Sequence, residues 1–173
     1  MGKLSAQIGD LFDGTFRSLP EIRITAVAND ALVAIYKLLQ SLGATPPGMV
    51  WSVARTQMVR ADASDQPAAQ LAKGQVDPFH VPLRRAVVGS ETLPDLGLFF
   101  MRDEVSIDYK MGPAWTPGRI DAMFELLHRV MALAPGAKIS LEPGVAAAVA
   151  TRFQAAWSEF EATRRPDAAA ASP

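Results

Sequence analysis

Apolar and polar residues follow different spacings along this chain, and the segment 96–111 shows the most informative pattern. Residues 96–101 are apolar at every position, whereas apolar and polar residues alternate over 104–111. Alternation is typical of a strand with one buried face, and a short run without polar residues indicates a strand covered on both faces. The segment therefore predicts a β-hairpin whose first strand needs cover on both sides.

The turn of this hairpin decides which side chains face each other. With a two-residue turn at 103–104, Phe99 lies opposite Asp108. Phe100 then lies opposite Ile107. Neither turn residue is Gly or Asn, which such turns favour, so a longer loop with a shifted register is the alternative.

A helix is predicted over 117–133, directly after the hairpin. Thr116 can cap its first turn, and Pro117 suits its first position because a helix leaves that amide unpaired. Apolar residues then recur every three or four positions, which indicates a helix with one buried face. That face contains Ile120, Met123, Phe124, Leu127, Val130 and Met131.

The remaining segments predict further strands and helices around this unit. Pro82 cannot donate a hydrogen bond within a sheet, so its strand is expected at an edge. The predicted elements are helices at 3–12, 29–42 and 143–160, and strands at 21–27, 49–60, 79–88 and 137–141. This order favours an α+β fold with a mainly antiparallel sheet of about five to six strands, covered by two to four helices.

The chain is expected to form a single globular domain over 1–164. Residues 61–77 are rich in Ala, Asp, Gln and Ser and interrupt the pattern, so we expect a mobile loop there. Residues 165–173 include a run of four Ala and are expected to form a disordered tail.

Composition and charge exclude several classes of partner. The formal net charge is −1, and nucleic-acid binding relies on clustered positive charge, so we expect no nucleic-acid partner. No apolar run approaches the ~20 residues that span a bilayer, so we expect no membrane association. The chain has no cysteine, which excludes thiolate chemistry and fits the reducing cytoplasm.

Asp121, Glu125 and His128 form the most suggestive pattern for catalysis or metal binding. Their spacing places them on one side of the predicted helix, beside its apolar face. Glu125 and His128 match the spacing found in carboxylate-bridged di-metal bundles, but those sites take matching ligands from other helices. No second Glu-x-x-His occurs in the chain, so we expect a solvated helix face with no metal and no cofactor.

Asp108 is the other candidate for catalysis. It lies on the polar side of its strand, where the expected register places it beside apolar side chains. Loss of solvent there would raise its pKa, as a general acid requires. Pairing with Lys110 or an arginine, or plain exposure to solvent, is the alternative.

Phe99, Met101 and Trp115 are the candidate partner-binding residues. Phe99 and Met101 lie on the second face of the first hairpin strand, and the helix can cover only one face. Trp115 precedes the helix, where it either packs onto Ile120 or serves as an exposed anchor for a partner.

The pattern as a whole favours a non-catalytic protein-binding module, of the adaptor, immunity or assembly-chaperone type, in the cytoplasm. Its partner would be another protein or a second copy of the chain in a homodimer. The alternatives are a small carboxylate-dependent enzyme and a small-ligand binder with a pocket between sheet and helices.

Overall fold

The computed structural model describes residues 3–14, 20–44, 48–52, 56–61 and 67–164. Its helices are α1 (Lys3–Ile8), α2 (Asn29–Leu42), α3 (Pro67–Ala72), α4 (Pro117–Leu133) and α5 (Ala147–Arg164), with a short 3-10 helix, Gly9–Leu11, after α1. Its strands are β1 (Glu21–Thr25), β2 (Gly48–Ser52), β3 (Gln57–Ala61), β4 (Phe79–Leu83), β5 (Val87–Val88), β6 (Glu91–Thr92), β7 (Leu96–Phe100), β8 (Glu104–Tyr109) and β9 (Lys138–Leu141).

Five strands form the main sheet in the order β4-β7-β8-β1-β9, and each neighbouring pair is antiparallel. The pairs β2-β3 and β5-β6 form two small sheets of their own. Helices that pack against a mainly antiparallel sheet define an α+β fold. The predicted fold class is therefore confirmed.

One face of the main sheet is apolar, because every second residue of its strands is hydrophobic and buried. Ile22 and Ile24 of β1 are fully buried and lie opposite Ile107 and Val105 of β8. The same alternation continues through the other strands of the sheet. The buried residues of this face are Ile22, Ile24, Phe79, Val81, Leu83, Leu96, Leu98, Phe100, Val105, Ile107, Tyr109, Ile139 and Leu141.

Helix α4 contributes to the same hydrophobic core. The Thr116 side-chain oxygen accepts a hydrogen bond from the Arg119 amide at 3.3 Å, which satisfies one of the N–H groups left unpaired in the first turn. Ile120, Phe124 and Leu127 are buried within the cluster that contains the apolar side chains of the sheet. The helix bounds and its buried face agree with the sequence prediction.

Helix α5 packs on α4 through aromatic side chains. The ring of Phe124 lies 5.8 Å from Phe153, 5.9 Å from Trp157 and 5.6 Å from Phe160, measured between centroids. Aromatic pairs at such separations contribute about 0.5–1.5 kcal/mol beyond the burial of their surface. Phe124 therefore links the two longest helices.

Trp115 belongs to the core, so of its two predicted roles the packed one holds and the exposed partner-binding anchor is wrong. Its side chain is 7% exposed, and its ring packs against Phe12 and Tyr109 with centroids 4.9 and 5.3 Å apart. The indole nitrogen donates a hydrogen bond to the Lys110 carbonyl oxygen at 2.9 Å. The segment after α1 covers this ring, and that cover comes from a distant part of the sequence.

The register of the hairpin differs from the expected one. The turn begins one residue earlier, at 102–103, so Asp108 lies opposite Gly97 rather than Phe99. The reason is that Glu104 belongs to β8 and not to the turn, and a salt bridge to the neighbouring strand holds its side chain. A shift of the pairing by two residues leaves each side chain on its expected face.

The segment 61–77 is not a structureless loop throughout, which corrects another expectation. Residues Pro67–Ala72 form α3, in which Pro67, Ala68 and Leu71 are buried against the core. A helix this short is stabilised by packing more than by intrinsic propensity, and α3 lies beside α2. Residues 62–66 and the expected tail, 165–173, lie outside the described part of the chain.

Each edge strand carries a feature that limits pairing with another chain. Pro82 lies in the edge strand β4, as predicted, and offers no N–H group there. In the other edge strand, β9, the Ile139 carbonyl oxygen accepts a hydrogen bond from Gln154 Nε2 at 2.6 Å. Both edges of the main sheet are therefore poorly suited to pairing with a strand of another chain.

We expect Phe100→Ala and Phe124→Ala each to lower the free energy of unfolding by about 3–5 kcal/mol, because both side chains are fully buried. Leu133 in α4 is 36% exposed, and Leu133→Ala is a control with an expected loss of about 0.5 kcal/mol. Urea unfolding followed by circular dichroism measures all three. Similar losses in the control and in the phenylalanine variants would contradict this core.

Candidate functional site

The second face of the main sheet is polar, and we call it the open face. Its residues alternate with those of the core, and in β1 and β9 they are half-buried or exposed. Within the strands, the open face consists of Glu21, Arg23, Thr25, His80, Pro82, Gly97, Phe99, Glu104, Ser106, Asp108, Lys138 and Ser140. Met101 continues the alternation directly after β7.

Arg23 and Glu104 form a two-pronged salt bridge between β1 and β8. Arg23 Nε and Nη2 donate to Glu104 Oε1 and Oε2, each at 2.5 Å. The Glu104 side chain is 9% exposed, so its charge is compensated in a site with little water. The hydrogen bond to Glu104 is the largest cause of a raised pKa of Arg23. This pair joins two central strands and leaves neither group free for another ligand.

Ser106 is buried beside this pair and is already engaged. Its hydroxyl donates a hydrogen bond to Glu21 Oε1 at 2.6 Å. A serine nucleophile needs a neighbouring base oriented by a third group. The hydroxyl instead donates to a carboxylate in the neighbouring strand, so this contact is structural.

His80 and Asp108 reach across the strand between them. His80 Nε2 lies 2.8 Å from Asp108 Oδ2, and their side chains are 50% and 29% exposed. The pair lies over Gly97, where an added Cβ would clash with both side chains. Glycine at this position therefore makes room for a contact between β4 and β8, two strands apart.

Phe99 lies on the open face in β7, next to the edge strand β4, and is half-buried. It faces Ser106 on one side and His80 on the other, and its ring centroid is 6.3 Å from that of His80. Met101 is also half-buried, just beyond the end of β7. Two of the three residues predicted to bind a partner therefore belong to the open face, whereas Trp115 does not.

Carboxylates of neighbouring strands lie close together at one end of the main sheet. The Glu142 amide donates to the Glu21 carbonyl oxygen at 3.0 Å, and Glu21 lies opposite Asp108 in the next strand. Burial raises the pKa of Glu142, and repulsion from Glu21 raises it further. At this end of the sheet, burial and the neighbouring Glu21 therefore both disfavour the negative charge of Glu142.

The candidates on α4 do not form one site with Asp108. Glu125 lies 3.3 Å from Arg129 and 3.1 Å from Arg164, and His128 Nδ1 lies 2.6 Å from Glu161 Oε1. These partners use the side chains in separate ion pairs on the helical side of the sheet. Within the described ranges, no group of three or more His, Asp or Glu residues is arranged to hold a metal ion.

Asp121 lines a cavity of about 240 Å³ between α1, α4 and α5. Burial raises its pKa, and Arg164 acts in the opposite direction. The cavity lining contains Lys3, Leu4, Gln7, Asp121, Glu159, Phe160, Thr163 and Arg164. This cavity lies between helices and not between helices and sheet, so it is not the pocket that the sequence suggests for a small ligand.

Several residues of the open face were not recognised as site residues in the sequence. His80 has no partner by spacing, because its contact with Asp108 depends on the strand order. Glu104 was assigned to the turn, so its pairing with Arg23 was missed. The alternation of Glu104, Ser106 and Asp108 with apolar residues was the available signal, since it places three polar side chains on one face.

Comparisons with known proteins do not assign this chain to a family. No family model matches the sequence, no curated protein matches it, and no solved structure matches the fold. The fold and the open face define a class of architecture, an α+β domain with one apolar and one polar sheet face. In the part of the chain that the structure describes, no helix has the length and apolar character to cross a membrane.

Gly97→Ala should break the contact between His80 and Asp108, because the new methyl group would occupy their space. We expect a loss of up to about 1 kcal/mol in the free energy of unfolding, the scale of an ion pair that is partly exposed to solvent. In an Asp108→Ala background the same change should cost clearly less. A double-mutant cycle in urea measures this coupling, and purely additive losses would contradict it.

Glu142→Gln should stabilise the protein at neutral pH. Because the folded state raises the pKa of Glu142, it binds this proton more tightly than the unfolded state does. Stability should therefore fall as the pH rises from the ordinary glutamate range through the raised pKa, and the variant should lack this fall. Thermal unfolding across a pH series measures it.

Glu159 is the matched control for this prediction. Hydrogen bonds from Gln7 and Lys3 lower the pKa of Glu159, so its contribution is present at neutral pH and is lost as the pH falls. Glu159→Gln should therefore act in the opposite direction. If both variants changed the stability at neutral pH in the same direction, the unfavourable charge that we assign to Glu142 would be contradicted.

Proposed function

We propose that this protein is a non-catalytic binding module whose open face docks another protein. The observation that carries the proposal is Phe99, a half-buried aromatic ring on a sheet face whose polar side chains are largely paired with one another. Aromatic residues surrounded by polar ones dominate the energy of many interfaces. The ring thus supplies an anchor, and the polar pairs hold its surroundings in place.

The arrangement of the carboxylates favours binding over catalysis. Asp108 lies on the open face, whereas Asp121, Glu125 and His128 lie on α4, which contributes to the core on the opposite side. Glu125 and His128 are each engaged in ion pairs. A catalytic site needs its acid, base and nucleophile within reach of one substrate, and these residues do not converge.

A different protein fits the open face better than a second copy. Glu21 and Asp108 lie opposite each other on this face. Like charges placed opposite each other across an interface oppose association. As part of the proposal, we place the protein in the cytoplasm, supported by a chain of 173 residues without cysteine.

Phe99→Asp should abolish binding to the partner while leaving the fold intact. A charged carboxylate at the anchor position would be desolvated next to Asp108, which is strongly unfavourable. Val87 is 49% exposed in β5, and Val87→Asp is the matched control because it adds the same charge away from the open face.

The experiment uses both variants and the wild type as baits in the native cell, and then measures binding of the identified partner by calorimetry with purified proteins. Circular dichroism and thermal unfolding check that each variant is folded. Loss of binding in Phe99→Asp alone is the expected result. A folded Phe99→Asp variant that binds the purified partner like the wild type would refute the proposal.

A further inference from the structure

We infer that the partner presents an arginine-bearing basic segment to the open face, with a guanidinium group stacked on Phe99 and hydrogen-bonded to the neighbouring carboxylates. This inference rests on the proposed function and specifies the chemistry of the partner. It combines two separate features of the face, its aromatic ring and its charge.

The charge of the open face is unevenly compensated. Glu104 is neutralised by Arg23 through two hydrogen bonds, and Asp108 has His80 as its partner. Glu21 accepts a hydrogen bond from the neutral hydroxyl of Ser106, which leaves its negative charge in place.

The Glu21 carboxylate lies near other carboxylates of neighbouring strands. Asp108, which is paired with His80, lies opposite Glu21 in β8, and Glu142 follows β9 beside Glu21. Adjacent strands of a sheet are about 4.8 Å apart, so these side chains lie within the reach of one long cationic side chain. The influences that raise the pKa of Glu142 are burial and Glu21, so a cation would relieve the repulsion between them.

Phe99 gives the preference for arginine. It is two residues from Gly97, the residue opposite Asp108, so the ring lies diagonally beside that carboxylate. A guanidinium group stacks on an aromatic face and, at the same time, offers paired N–H donors to carboxylates. An ammonium group is a compact, strongly hydrated charge that cannot do both equally well.

The open face does not offer a free guanidinium group to a second copy of the chain. Arg23, the arginine of the face within its described residues, is held by Glu104 and has a side chain that is 27% exposed. Two copies placed face to face would bring acidic side chains together without a free guanidinium group. A basic segment of a different protein is therefore the occupant that fits.

The test uses short synthetic peptides and the isotope-labelled full chain. One peptide contains arginines and one aromatic residue, the second replaces each arginine by the neutral isostere citrulline, and the third replaces each by lysine. Amide chemical shifts of β1, β7 and β8 report binding at the open face. We expect the arginine peptide to shift these signals and to bind about tenfold more tightly than the citrulline peptide.

Variants locate the effect on the face. The double variant Glu21→Gln with Glu142→Gln should weaken binding of the arginine peptide by about tenfold, because it removes two carboxylates that would pair with it. Asp10→Asn with Glu159→Gln is the control, since it removes the same charge from the helical side, where these residues pair with Arg152 and Lys3. The control should bind like the wild type.

Equal affinity for the arginine and citrulline peptides, shifts confined to the helices, or the absence of binding would overturn this inference. A homodimer by sedimentation that Phe99→Asp dissociates would overturn it too, by making a second copy the occupant. Calorimetry with the natural partner tests the proposed function separately. A partner without basic residues whose binding depends on Phe99 would support the proposed function and refute only the inference of an arginine.

Discussion

The burial of one face of the main sheet is the constraint on which the rest of this structure depends. Alternate residues of β1, β4, β7, β8 and β9 place their apolar side chains in a core shared with the helices. Because side chains alternate strictly along a strand, this burial also determines which residues form the opposite face. The core therefore positions Phe99 and its polar neighbours through the strands that carry both. A shift of one residue in a central strand would place charged groups in the core.

The polar pairs of the open face then restrict how the strands can align. Arg23 with Glu104 and Ser106 with Glu21 each join β1 to β8, and His80 with Asp108 spans β7. Such pairs contribute modestly to stability when they are exposed to water, but they penalise alternative alignments that would leave a buried carboxylate unpaired. We therefore assign to these pairs a role in fixing the register of the strands, more than in raising the net stability of the fold. The same pairs reduce the chemistry available on this face, which is why the half-buried ring of Phe99 becomes its most distinctive group.

Local signals in the sequence were sufficient for some elements and insufficient for others. The helix that begins at Pro117 follows from its cap and its spacing, which involve only neighbouring residues. The position of Pro82 in an edge strand follows from its missing N–H group. In contrast, the burial of Trp115 depends on Phe12, about a hundred residues away, and the contact between His80 and Asp108 depends on the strand order. The short helix α3 has weak local signals in the sequence. Packing beside α2, rather than those signals, stabilises it. Thus elements were predictable where neighbours in sequence determine them, and the site was not, because strands distant in sequence build it.

The central claim is that the open face meets another protein at Phe99, and photocrosslinking in the native cell tests it most directly. A photoreactive phenylalanine analogue would replace Phe99 in one version of the full chain and Val87, which is 49% exposed in β5, in another. The account predicts a discrete adduct with a different protein from position 99 and none of that mass from position 87, with the crosslinked peptide of the partner rich in basic residues. The same adduct from both positions, or an adduct between two copies of this chain, would contradict it.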